Sequence, residues 1–145
     1  MRKLFHIVIC CLGVLCCTAV ADSFSIVSLN PDMPQLSQAK AKMLFTGRSK
    51  TVSGVGRIVL LDYPQDHPNR VSFYESLTGQ TISQVNSKWA SLAFSGRATP
   101  PDVLENLTLE GVTNWLQENP NGLAYVKTAM IPDGAYILLE VEAVQ

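Results

Sequence analysis

The stretch His67-Pro68-Asn69-Arg70-Val71 holds the residues best equipped for chemistry. A proline suits the first turn of a helix. A helix starting there would present the backbone N–H groups of Asn69, Arg70 and Val71 at the positive end of its dipole, where an anion can sit. The Arg70 guanidinium could add a paired contact to a phosphate oxygen. Asp66 works against this, because a carboxylate beside the site repels an anion and equally well caps the helix. His67 is the single histidine after position 6. It could act as a base, a ligand or a pH-sensitive group, or be an exposed loop residue. Arg48 and Arg97 each follow a glycine that ends a helix. They could line a cleft and draw in an anion, or steady the negative end of the helix they follow.

Catalytic patterns do not occur. There is no G-x-S-x-G and no H-E-x-x-H, and Gly54-Val55-Gly56 belongs to neither phosphate-loop pattern. A serine triad would need His67, with no serine or acid clearly poised beside it. The carboxylates are scattered and form no metal-ligand cluster. The reading is a non-enzyme with no cofactor and no metal. Asn106-Leu107-Thr108 is formally a glycosylation sequon.

The N-terminus decides the compartment. Met1-Arg2-Lys3, the apolar run Leu4 to Val20 and the ending Ala19-Val20-Ala21 predict a signal peptide over 1–21, cut after Ala21. A retained membrane anchor and a lipoprotein are the rival readings, although neither Cys16 nor Cys17 follows a small residue. All four cysteines fall inside this segment, so the processed domain, 22–145, has no disulfide. Without Arg2 and Lys3, nine basic residues face twelve acidic ones, a net −3. No basic cluster remains, which argues against nucleic acid as a partner.

Several elements must position these residues. Phe24 to Leu29 predicts a strand, and Gln35 to Phe45 a helix with Leu36, Ala39, Met43 and Leu44 near helical spacing. Thr46 to Gly56 predicts a loop, and Arg57 to Tyr63 a buried parallel strand. Helices follow from near Asn69 to Gly79, from a Ser83 cap to Gly96, and from Thr108 to about Asn119. Leu123 to Val126 and Tyr136 to Val141 close the chain as strands. Phe73, Trp89, Phe94 and Trp115 are expected in the core. The order implies an α/β domain, three-layer-like, with a mainly parallel sheet and flanking helices.

Four segments carry a resemblance: Leu44-Phe45-Thr46-Gly47-Arg48; His67 to Phe73; Trp89 to Gly96 with Pro100-Pro101 after it; and Asn119-Pro120-Asn121-Gly122-Leu123-Ala124-Tyr125-Val126. In order and spacing they resemble the short phosphate-type substrate-binding proteins of ABC transporters, in the type 2 periplasmic-binding superfamily. The likeness spans about Phe24 to Val141. It implies one lobe of such a protein, located in the periplasm and binding phosphate or a similar oxyanion non-covalently. The implied ligand set is His67, Asn69, Arg70 and Val71, with Arg48 or Arg97 completing the cleft. An ABC permease or another envelope protein would be the partner. The chain departs from the family where Gln65-Asp66-His67-Pro68-Asn69 stands in place of a serine- and glycine-rich loop, and in being about one lobe long. A homodimer would supply the second lobe. The alternative is a protein–protein interaction module of the envelope that keeps the fold without a ligand site.

Overall fold

The computed structural model describes residues 22–144. The expected signal segment, 1–21, lies outside the described residues. The elements run β1 (Phe24–Ser28), α1 (Gln38–Phe45), β2 (Thr51–Val52), β3 (Gly56–Arg57), β4 (Val59–Asp62), α2 (Pro68–Thr78), α3 (Ile82–Phe94), β5 (Asp102–Val103), α4 (Leu109–Glu118), β6 (Gly122–Lys127) and β7 (Tyr136–Val141).

Five strands form one sheet in the order β5-β4-β6-β1-β7. Strand β4 pairs in parallel with both β5 and β6. Strand β1 pairs antiparallel with β6 and with β7. Four strands therefore point one way, and β1 alone runs against them, threaded between β6 and β7. Alternation along the strands sends Phe24, Ile26, Leu123 and Tyr125 to one face and Val27, Ala124 and Val126 to the other. Helices α1, α2 and α3 cover the first face, and α4 covers the second through Val112 and Leu116. This is the three-layer α/β arrangement that the element order implies.

The larger face is an aromatic core. The Phe73 and Tyr125 rings stack with centroids 3.6 Å apart, and Phe45 meets both edge-on. The Trp89 indole N–H donates to the Phe45 carbonyl at 3.1 Å, which joins α3 to the end of α1. Trp115 packs against the second face while its N–H donates to Asp102.

Several boundaries differ from the sequence reading, for local reasons. Helix α1 starts at Gln38 because Ser37 caps it, accepting from the Lys40 N–H. The preceding residues are held elsewhere: the Leu36 N–H and the Gln35 amide donate to the Leu138 and Ile137 carbonyls of β7. The buried face of α1 is therefore Ala41, Leu44 and Phe45, and Met43 is exposed. Thr46 to Gly56 contains all of the β2–β3 hairpin except Arg57, rather than loop alone. Thr81, not Ser83, caps α3 in a reciprocal capping box with Gln84. Phe94 is not core but 97% exposed. It lies five residues beyond Trp89, roughly 140° around the helix at ~100° per residue, so it points away from the stripe set by Val85 and Trp89.

Gly47 ends α1 at φ +72°, and a Cβ there would lie 2.6 Å from Leu92 Cδ1 and 3.0 Å from the Trp89 ring. Gly79 has a similar φ of +69° but open space around it. Gly47→Ala combines backbone strain with a clash against α3, and is expected to lower unfolding stability by about 2–3 kcal/mol. Gly79→Ala carries the strain alone, about 1 kcal/mol. Urea unfolding of the two variants side by side checks this; equal losses would show that Leu92 and Trp89 yield to the added methyl without cost.

Candidate functional site

Strand β4 ends in a buried acid. Asp62 is 4% exposed, and its carboxylate accepts from four donors. Oδ1 accepts from the Tyr63 N–H at 2.8 Å and from the Tyr125 hydroxyl. Oδ2 accepts from Arg70 Nε and from the Tyr74 hydroxyl, both at 2.9 Å. A buried carboxylate persists only when paired and hydrogen-bonded in this way. Arg70 is equally committed. Its Nη1 donates to the Gln65 carbonyl at 3.2 Å and to Asn86 Oδ1 at 2.7 Å, and its guanidinium lies 5.1 Å from the Tyr74 ring centre. The residue is only 7% exposed. This corrects the expectation that Arg70 offers a paired contact to an anion: the guanidinium faces inward, toward Asp62.

The start of α2 is also corrected. His67, not Asp66, is the cap. Its Nδ1 accepts from the Asn69 N–H at 3.2 Å, and its carbonyl accepts from the N–H groups of Arg70 and Val71 at 3.0 and 3.2 Å. The three N–H groups expected to cradle an anion are thus already taken by one residue. The His67 ring stacks on Tyr63 at 4.6 Å and 23°. Because Nδ1 accepts, the proton of the neutral imidazole is assigned to Nε2, which donates to no acceptor among the described residues.

His67 lines a cleft of about 280 Å³ at the carboxyl ends of β4 and β6. Tyr63, His67 and Asn69 form one wall. Leu107, Thr108 and Leu109, at the start of α4, form the other, and Lys127, the last residue of β6, closes it with Met130. Lys127 Nζ meets Asp22 Oδ2 at 2.9 Å, a partly exposed pair that is cheap to open. The Thr108 hydroxyl is spent, donating to Asn106 Oδ1 and accepting from the Gly111 N–H. The N–H groups of Leu109 and Glu110 have no hydrogen-bond acceptor among the described residues, as is usual for the first turn of a helix.

Of the six residues named from the sequence, the structure brings His67 and Asn69 to this cleft. Arg70 supports it from behind through Asp62. Val71 lies in α2 without lining it, and Arg48 and Arg97 stand apart from it, both exposed. The N–H groups of these two arginines close the ends of α1 and α3 by donating to the Met43 and Leu92 carbonyls. Lys127 was missed in the sequence. It is the one cation after Arg97, at the end of the Asn119-to-Val126 segment, and that isolation was the available signal. No cluster of His, Cys, Asp or Glu among the described residues could hold a metal.

No family model matches the chain, and no curated protein matches it in sequence. Solved structures share its fold. A phosphate ABC transporter substrate-binding protein from Clostridium perfringens, solved with bound phosphate, superposes with a TM-score of 0.60 at 14% identity, over 82% of this chain and 45% of that one. An ABC-type phosphate transport receptor from Vibrio cholerae gives 0.60 at 12% identity, over 86% of this chain and 56% of its own. The chain thus has the fold of these proteins and spans about half of their length.

The Asp62 cluster makes stability depend on alkaline pH. Burial first, and then the Asp62 charge, push the Tyr74 and Tyr125 phenols well above their ordinary value of 10.0. A folded-state value raised above the unfolded one means the stabilisation is complete below pH 10 and is lost as pH rises toward the folded value. Each phenol then removes up to about 1.4 kcal/mol per pH unit. Tyr125→Phe deletes one of these protons, so its stability should fall less steeply by about that amount in urea unfolding from about pH 9 to about pH 11. Equal slopes for the two proteins would disprove the coupling.

Proposed function

We propose that this chain is a secreted, periplasmic binding module of the phosphate-transport type, freed of residues 1–21, and that it holds phosphate or a similar oxyanion in the cleft between α2 and α4. The reading rests on one observation: residues of three elements that carry hydrogen-bond donors line this cleft. They are Lys127 at the end of β6, His67 at the start of α2, and Leu109 opening α4, whose N–H has no acceptor among the described residues. A helix N-terminus beside an ammonium suits an oxyanion, and binding needs no covalent step. Asp62 and Arg70 are positioning residues that fix the wall carrying Tyr63 and His67. Two carboxylates compete with the ligand: Asp22 for Lys127, and Glu110 for the α4 dipole. An open cleft of this kind gives modest affinity. The solved neighbour with bound phosphate supports the choice of anion.

A second reading has its own support. Leu107 and Met130, on the rim of the cleft, are 50% and 52% exposed. A protein surface covering them would make the cleft an interface, whether with a second copy supplying a second lobe, an ABC permease or another envelope protein.

Calorimetric titration with inorganic phosphate separates the two readings. The first expects saturable binding, weakened roughly tenfold by Lys127→Ala, as for loss of one charge-assisted hydrogen bond. Arg48→Ala and Arg97→Ala should leave it unchanged. A wild-type protein that shows no saturation at millimolar phosphate, or a Lys127→Ala variant that binds equally well, rejects the oxyanion site.

A further inference from the structure

The charge of this chain is segregated in a way that the fold turns into a surface. Seven of the nine cations in 22–145 lie in two stretches, 33–61 and 76–101, that contain no Asp or Glu. No run of basic residues marks them in the sequence, yet the fold joins the two stretches. Trp89 of α3 is hydrogen-bonded to Phe45 of α1, and Lys40 Nζ donates to Ser49 Oγ at 2.9 Å. The result is a basic face where the sequence alone shows no basic cluster.

This face is recessed. A groove of about 160 Å³ runs between the β2–β3 hairpin and the Thr99–Asp102 loop, with Leu44, Ile58, Leu60 and Trp89 at its floor. A second groove of about 430 Å³ adjoins it, lined by Ala93, Gly96 and Ala98. Lys50 and Arg57 belong to both. Neither is in an ion pair; the pairs among the described residues are Arg70–Asp62 and Lys127–Asp22. Arg48 and Arg97 are each flanked by groove residues and are exposed. Asp102 is the one acid in the lining, and its Oδ2 accepts from Trp115. Phe94, fully exposed, follows Ala93 at the rim. The grooves sit toward the amino end of β4, and the oxyanion cleft beyond its carboxyl end, separated by the ~13 Å length of this four-residue strand at ~3.3 Å per residue.

We infer that this face docks an extended acidic segment of a partner protein that also carries an apolar side chain. Uncompensated cations on a chain that is otherwise acidic select an acidic partner by charge complementarity. The apolar floor and Phe94 supply the contacts that charge alone does not. The recess favours a peptide over a membrane, since a flat bilayer would touch Phe94 but not the Trp89 and Ile58 floor. The inference is independent of the oxyanion cleft.

The test is a fluorescence-anisotropy titration of the protein into a labelled synthetic peptide of aspartates and glutamates around one leucine. Saturable binding that weakens with added salt is expected. Lys50→Glu with Arg57→Glu should weaken it at least tenfold while leaving phosphate titration unchanged. Both side chains are exposed, so the double variant should fold, and circular dichroism checks this. Phe94→Ser should weaken binding several-fold without altering its salt dependence. Absence of saturable binding, or equal binding by the double variant, overturns the inference. Anionic phospholipid vesicles or an oligonucleotide binding where the peptide does not would also overturn it. Peptide binding without phosphate binding would leave this inference standing and remove the oxyanion reading alone.

Discussion

Asp62 is the constraint on which the rest of the molecule depends. One buried carboxylate at the end of β4 is reached by a hydroxyl from β6, a hydroxyl and a guanidinium from α2, and the next backbone N–H. Removing Arg70 would strand charge in an aromatic core, and removing either hydroxyl would leave the carboxylate one donor short, so sheet and helix are fixed to each other at this point. The consequence reaches the surface. Tyr63 follows Asp62 directly, His67 stacks on Tyr63, and the same histidine caps α2. The cleft wall is therefore the outer layer of a network whose centre is buried.

Much of the fold was legible in the sequence. Strand β7 has the predicted limits, and α4 begins beyond Thr108 as expected, because turn residues bracket both. Helix starts were less legible. Ser37, His67 and Thr81 cap helices for which other starts or caps had been expected, and several nearby residues could have done so. The reversed direction of β1 had no local signal, since a five-residue buried strand reads alike in either orientation. Phe94 misled because apolar character alone does not say which side of a helix a residue occupies.

The site was half legible. The loop before α2 was found, and with it His67 and Asn69. The role of Arg70 was not, because pairing with Asp62 depends on two segments meeting in space. Lys127 carried no motif, and its position comes from the parallel pairing of β4 with β6. The segregation of charge was present in the sequence, but spread over two separated stretches, and only the packing of α3 against α1 gives it a common face.

The lone reversed strand has a consequence for how the chain assembles. Strand β1 is made first yet lies inside the sheet, with Phe24 opposite Lys127 on one side and Val141 on the other. Neither neighbour exists until nearly the whole chain has been synthesised. Until then β1 has two unpaired edges and apolar side chains on both faces. Such non-local pairing delays folding, since distant segments must find each other before their contacts reward the search. The earliest residues of the domain thus stay open longest, and its last strand completes the sheet.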